Sequence, residues 1–337
     1  MIRRINGKLQ RTAFSLAGNI GSCAIEDTIV LAGSPRSGTT LLLEAMHKLP
    51  GYKAINEPLL KKKIRKKHGF NLRSYIAPGQ SVPDQKKFLS DVLQGQMDQS
   101  ARWLFEAQSV PGRIFEHSQR DKLLVKFCRI NRMLPWFAEQ FDVRGIVFIV
   151  RHPCAVVNSM LRFGQWDKWT WEYVQKDSVA SPTVKIDHLP DSVQDTFAPL
   201  IERISTKTEA LTLMWCLDHY LPLLHSSEHP WILVPYEKLI THNHSELRRI
   251  CNALGAEVNN DILQTLDKPS SSVKEKVKEN ADAQLLKWKQ QLTTKQIDDI
   301  LYMVDAVNLT SIYTDAAEPN YEYLNTLQRQ EITEKVS

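Results

Sequence analysis

Between Ser34 and Thr40 the chain reads SPRSGTT. Ser34, Ser37, Thr39 and Thr40 are hydroxyl donors, Arg36 is a fixed positive charge, and Gly38 lets backbone come close to a guest. That is equipment for holding an anion. Further along, Arg151 follows an apolar run, and an arginine can fork onto two phosphate oxygens. Between the two lie a carboxylate directly before a proline, Glu57-Pro58, and Lys126, a charge near the end of the apolar run KLLVKF. An anion loop, a carboxylate and an amine suit transfer of a charged group, and no acidic cluster for Mg²⁺ is visible.

These residues work only if the chain delivers them to one place. Thr28–Leu31 is a β-branched, apolar run that reads as a buried strand, stopped by Gly33, Ser34 and Pro35. Gly38 opens a helix whose apolar face is Leu41, Leu42, Ala45, Met46 and Leu49. The free N–H groups and dipole of that helix point at the turn. Tyr52–Ile55 is a second strand, and Pro58 imposes extended geometry on Glu57 at its end. Lys122–Phe127 is a third strand and Met133–Phe141 a helix. Arg144–Val150 is the clearest buried strand; it stops at Arg151-His152-Pro153, where another helix starts with Pro153 in its first turn.

Ser205–Leu221 follows a helical period that Pro222 ends or kinks, and Trp231–Tyr236 is one more strand. Beyond Glu246 the chain is helical, with Gly255 closing one helix and Thr293 with Gln296 forming a capping box. Residues 68–120 carry Gly79, Pro83, Gly95, Pro111 and Gly112, which predict short helices and loops. Strand–helix alternation of this kind predicts an α/β fold: one P-loop-like domain, a central and mostly parallel sheet with helices on both faces, and a helical C-terminal region.

The 337 residues suffice for such a domain, and 42% hydrophobic with 24% charged residues is ordinary globular composition. A net charge of +5 favours anionic ligands without arguing for nucleic acid. Cys23, Cys128, Cys154, Cys216 and Cys251 are odd in number and lack metal spacing, so they read as reduced, buried thiols of a cytoplasmic protein. No apolar run has membrane-spanning length. Residues 1–27, basic and then weakly apolar, read as an arm, with contact to a membrane surface as the alternative.

The first loop departs from the nucleotide-triphosphate pattern. Ser37 stands before Gly38 and no lysine follows it, so the phosphate lysine of that pattern is missing. SPRSGTTLL instead resembles the 5′-phosphosulfate loop of sulfotransferases that use 3′-phosphoadenosine 5′-phosphosulfate, and RHPCAVVNSML resembles their 3′-phosphate motif. The resemblance runs from Ile29 to about Ile312. It implies a metal-free site in which Ser34, Pro35, Arg36, Ser37, Gly38, Thr39 and Thr40 hold the 5′ end, and Arg151 and Ser159 the 3′-phosphate. Adenosine 3′,5′-bisphosphate is the implied product.

VPYEKL resembles the family's Tyr-Glu-x-Leu segment, which places Tyr236 near adenosine, with a core tyrosine as the alternative. KPSSSVKEK, residues 268–276, resembles a donor-side segment of bacterial members. Glu57, 21 residues after Arg36, matches the base of tyrosylprotein and some carbohydrate sulfotransferases. Arg36 and Lys126 are the implied charge stabilisers. His117 and His152 rank below Glu57 as the base, and a structural Glu57 paired with Arg36 or the Lys61–Lys67 run is the alternative.

The implied domain is 28–312, with 163–200 as a lid or insertion rich in Trp166, Trp169, Trp171 and Tyr173, and 313–337 as a tail. The acceptor carries a hydroxyl, with a carbohydrate or acidic glycan foremost. KKKIRKK, Lys61–Lys67, is either a solvated face or a basic rim beside the site. A P-loop kinase or NTPase and a non-catalytic nucleotide-binding scaffold are the rival classes. The oligomeric state is not legible in the sequence.

Overall fold

In the computed structural model, which describes residues 22–96, 103–164, 186, 189–226, 228, 231–267 and 280–329, the apolar runs become one sheet. The elements are β1 (Ile29–Gly33), α1 (Thr39–Met46), β2 (Tyr52–Asn56), α2 (Lys62–Lys67), α3 (Pro83–Leu93), β3 (Trp103–Leu104), α4 (Val110–Ser118), β4 (Lys122–Phe127) and α5 (Leu134–Gln140). They continue with β5 (Gly145–Val150), α6 (Pro153–Phe163), α7 (Asp191–Arg203), α8 (Lys207–Leu224), β6 (Ile232–Pro235), α9 (Tyr236–Thr241), α10 (Asn243–Ala253), α11 (Asn260–Thr265), α12 (Ala281–Gln291), α13 (Thr294–Asp305) and α14 (Tyr321–Arg329).

The strand order is β3-β2-β4-β1-β5-β6, parallel throughout except for β3, which runs antiparallel to β2. Alternation along each strand splits the core in two. Ile29, Leu31, Val147 and Ile149 pack under α1, α10 and α11, whereas Val30, Ala32, Phe148 and Val150 pack under α5, α6, α8 and α13. Each such fully buried Val, Ile or Leu contributes about 1.5–3 kcal/mol, so both faces of the sheet are tightly specified.

β1 sits between β4 and β5. The helix after β1 covers one face and the helix after β5 covers the other. Their entry turns therefore diverge and leave a crevice at the carboxyl ends of adjacent strands, where open α/β sheets bind ligands.

Several expectations are corrected. Pro222 does not end its helix: α8 is capped by Thr206, with Glu209 completing the box, and runs to Leu224. A proline loses only one internal hydrogen bond, which the last turn of a well-packed helix tolerates. Tyr236 opens α9 instead of finishing a strand. The two-residue edge strand β3 went unread because it is too short for a period. Residues 313–329, expected as a tail, hold the buried Tyr313 and α14. Residues 1–21, the aromatic cluster at 166–173 and KPSSSVKEK at 268–276 lie outside the described residues. All five cysteines are buried and free. No helix among the described residues is long and apolar enough to cross a membrane.

Candidate active site

The turn after β1 is forced into shape by close packing. Gly33 has φ +153°, and a Cβ there would lie 2.5 Å from Ile149 Cγ2 on β5. Its N–H donates to Asn131 Oδ1 at 3.2 Å, just beyond β4. Arg36 and Gly38 both take positive φ, +70° and +94°. A non-glycine residue held there costs of order 1–3 kcal/mol, a strain that clusters at ligand clamps. Gly38 caps α1 without any side-chain bond, so the first N–H groups of the helix face the turn. Ser37 is fully buried and its Oγ has no partner among the described residues.

The turn after β5 leans on the first. Arg36 Nε donates to Ser159 Oγ at 3.0 Å, and Arg151 Nη1 donates to the Arg36 carbonyl at 3.0 Å. The Arg151 guanidinium lies 4.0 Å over the Tyr236 ring, which in turn fills the space a Cβ on Gly38 would need. Burial first, and then the Arg151 charge, lowers the pKa of Arg36. Two guanidiniums are thus held together, and neither pairs with a carboxylate among the described residues. Arg151 Nε also lacks a partner. Orphaned buried donors facing one crevice fit an anionic ligand with more than one charged group.

At the carboxyl ends of β2 and β4 sits a third group. Glu57 is buried between Arg129 Nη1 at 2.6 Å and Lys126 Nζ at 3.2 Å. Lys126 donates to Asn56 Oδ1, and its ammonium is the group that faces Glu57 Oε1. Burial raises the Glu57 pKa, but Lys126 and Arg129 outweigh it, so the carboxyl lies below its usual range. Cys128 Sγ lies 3.4 Å from Thr39 Oγ1, and burial pushes this thiol up to about 11, so it is neutral.

Glu57 is not extended, contrary to the reading from Pro58. Its φ is +58°, because the chain turns there: Glu57 N–H still bonds Lys126 O of the ladder while its own carbonyl accepts from Leu60 N–H. The pre-proline preference for extended backbone is overridden here by closure of the turn, at the strain cost of a left-handed non-glycine residue. The pairing alternatives also change, since Glu57 meets Lys126 and Arg129 rather than Arg36 or the lysine run.

Two buried acids underpin the turns. Asp218 on α8 receives Arg73, Arg132 Nε at 3.3 Å and Ser34 Oγ at 3.4 Å. Ser34 therefore spends its hydroxyl below the loop. Burial, only partly offset by Asp218, brings Arg132 down to about 10. Glu237 accepts from the His152 N–H at 2.9 Å and from Tyr313 Oη at 3.1 Å. Trp215 Nε1 donates to the Arg151 carbonyl at 3.1 Å, and His152 stacks on Trp288 and meets the Thr314 carbonyl.

The structure thus brings Arg36, Ser37, Gly38, Arg151, Ser159 and Tyr236 into one contact set. Pro35 is buried in the same loop, Thr40 stands half-exposed on the first turn of α1, and Thr39 links the loop to Cys128 beside Glu57 and Lys126. His152 is spent on its own turn, and His117 lies against Trp103 of edge strand β3. Arg129, Arg132, Asp218 and Glu237 were missed. Arg129 and Arg132 follow a strand end as Arg151 does, and Asp218 is an acid on an otherwise apolar stripe. His47, Glu106 and Glu116 approach one another closely enough to suggest a metal, but Arg120 reaches all three and makes them an ion-pair group.

The family model described as "Sulfotransferase family" matches residues 28–261. Among solved structures, the chain is similar to the sulfotransferase domain from the Synechococcus PCC 7002 olefin synthase, at 16% identity over 85% of this chain and 95% of that one, with TM-score 0.44. It is similar to the sulfotransferase domain from the curacin biosynthetic pathway, at 16% identity over 82% and 95%, TM-score 0.41. It is also similar to mouse sulfotransferase SULT7A1 complexed with PAP, at 14% identity over 94% and 95%, TM-score 0.39. No curated protein matches the sequence.

Proposed function

The chain belongs to the sulfotransferase family, and from that premise we propose that it moves a sulfuryl group from 3′-phosphoadenosine 5′-phosphosulfate to an acceptor hydroxyl, with a carbohydrate as the acceptor class. The observation that carries the reading is the junction of the two turns, Arg36 to Ser159 and Arg151 to the Arg36 carbonyl. It joins a helix N-terminus to two guanidiniums that pair with no carboxylate among the described residues.

In this reading the loop N–H groups, Arg36, Ser37, Thr39 and Thr40 hold the 5′ end, Arg151 and Ser159 hold the 3′-phosphate, and Tyr236 flanks the adenosine. The donor supplies the sulfuryl group: one sulfur–oxygen bond to its phosphate breaks as another forms to the acceptor oxygen, and adenosine 3′,5′-bisphosphate leaves. Arg36 and Lys126 neutralise charge, as positioned cations do in the related phosphoryl transfers. Glu57 Oε1, which faces Lys126 Nζ at 3.2 Å, takes the hydrogen bond and then the proton of the acceptor hydroxyl. Arg129 and Lys126 keep that carboxyl ionised and aimed, which favours orientation of the nucleophile over strong basicity.

Adenosine 3′,5′-bisphosphate is expected to raise the melting temperature by mass action, ATP far less, and Arg151→Ala is expected to erase most of the shift. An unchanged shift in that variant overturns the 3′ assignment. Glu57→Gln is expected to keep bisphosphate binding and lose roughly a hundred-fold in turnover. A lower melting temperature with normal turnover per folded molecule makes Glu57 structural. Activity is expected to survive EDTA, because Arg36, Lys126 and Arg151 supply the positive charge.

A further inference from the structure

Helix α2 begins five residues after Glu57 and concentrates charge without relief. Lys61, Lys62, Lys63, Lys66 and Lys67 are all exposed, while Ile64 and Arg65 turn inward. Elsewhere the protein balances such lysines within the same helix, as in Lys87–Asp91 and Lys295–Asp299. Here Lys62 faces Lys66 and Lys63 faces Lys67 at a spacing of four, where like charges destabilise a helix. Among the described residues, none of these four makes an ion pair.

The helix is also held in a fixed relation to the catalytic carboxylate. Arg65 Nη1 donates to the Leu59 and Leu60 carbonyls at 2.7 and 2.5 Å, and the Leu60 N–H donates to the Glu57 carbonyl. At the other end, His68 lies against Phe88 of α3 with ring centroids 4.3 Å apart and planes tilted by 30°. Arg65 lies close enough to Arg129 that, after burial, the Arg129 charge lowers its pKa. Arg129 in turn touches Glu57. Cations therefore run inward from the exposed lysines through Arg65 and Arg129 to Lys126, with Glu57 as the one carboxylate among them. Fields of this kind attract and orient anions over several ångströms and weaken with salt.

We propose that α2 is the docking surface for a polyanionic glycan acceptor, whose chain lies along the lysines while its accepting hydroxyl reaches Glu57. This rests on the sulfotransferase reading and deepens it. The occupant is polyanionic because four exposed lysines crowd the short helix that follows Glu57, and a glycan because such a chain carries its charges and its hydroxyls along the same length. A ligand satisfying both must be anionic along its length and still carry free hydroxyls.

The test is binding of a fluorescently tagged heparin octasaccharide to the full chain, against a neutral dextran octasaccharide and vesicles of phosphatidylglycerol. Heparin is expected to bind with an affinity that falls as salt rises, and dextran not to bind. The combined variant Lys62→Ser, Lys63→Ser, Lys66→Ser, Lys67→Ser is expected to weaken heparin binding about tenfold or more, with its melting temperature near wild type. Absent heparin binding, or equal binding by the variant, overturns the proposal. So does lysine-dependent binding to the vesicles alone, which makes α2 a membrane-surface element. The bisphosphate shift does not involve α2, so its absence alongside intact, lysine-dependent heparin binding overturns the transfer reading and not this surface.

Discussion

The two turns that form the candidate donor site are each anchored from beneath by a buried acid, and the two acids are treated differently. Under the first turn, Asp218 meets two guanidiniums, Arg73 and Arg132, and receives the Ser34 hydroxyl. Under the second, Glu237 meets a backbone N–H and a phenol, both uncharged, and burial raises it to about 7. The mechanical task is the same. One anchor answers charge with charge, and the other leaves a buried carboxyl to titrate near neutrality. Stability of the 5′ loop should therefore depend on keeping every member of an ionic set, and stability of the Arg151 turn should depend on pH.

Removing the ionic anchor has the largest expected effect. Asp218→Ala leaves Arg73 and Arg132 buried together without their carboxylate. Breaking a buried ion pair from one side costs about 3–5 kcal/mol. Denaturant unfolding should show a loss of that order, and Asp218→Asn should recover only a fraction because it restores shape and not charge. If Asp218→Ala and Asp218→Asn are both near wild type, the Asp218 cluster contributes little and the contrast with Glu237 collapses.

Glu237→Gln tests the other side of the contrast. A carboxyl whose folded pKa is raised contributes stability that is fully present below its unfolded value of 4.5 and lost as pH rises through about 7. The difference between wild type and Glu237→Gln should thus shift against wild type by about 3 kcal/mol from pH 4.5 to pH 8, at 1.36 kcal/mol per unit. His152, beside Glu237, is lowered by burial to about 4, and its own contribution is common to both proteins and cancels in the difference. A difference that is flat with pH rejects the titrating anchor.

Gly38→Ala acts where the turns meet. A Cβ would stand 2.3 Å from the Tyr236 ring, itself pinned under Arg151, at a φ of +94°. Strain of about 1–3 kcal/mol should appear mainly as a tenfold or greater loss of bisphosphate affinity by calorimetry. A small change in global stability beside a large change in binding would locate the cost in the site.

The same contrast explains what the sequence revealed. β1, β4, β5 and their exit turns were legible because each is a local pattern: an apolar run, a breaker, then a helix start. Arg151 and Ser159 belong to one short segment, RHPCAVVNSML, so a resemblance to a known motif could pick out both. Asp218 and Glu237 have roles through partners 76 to 184 residues away, and no local period reports that. Glu237 stood inside a segment already singled out for Tyr236, but its partner Tyr313 lay in what reads as a tail. The left-handed Glu57 was hidden because the pre-proline rule points to extended backbone, and the turn closed by the Leu60 N–H overrides it.

The smallest expected effect separates anchoring from packing. Tyr313 is almost wholly buried and, with its hydroxyl pKa raised well above the usual value by burial, remains a neutral donor to Glu237. Tyr313→Phe deletes that one O–H and nothing else of volume. A neutral hydrogen bond contributes about 1 kcal/mol net, and more when its acceptor is charged. With one donor fewer, the ionised form of Glu237 is less favoured and its pKa moves further up. The loss from Tyr313→Phe should therefore be small at pH 5, where Glu237 is already protonated in the fold, and larger at pH 8. Bisphosphate affinity should follow the same course, nearly unchanged at pH 5 and reduced at pH 8 as the Arg151 turn loosens. A simple packing defect would lower stability equally at both pH values, and that outcome would make Tyr313 filler for the core instead of part of the second anchor.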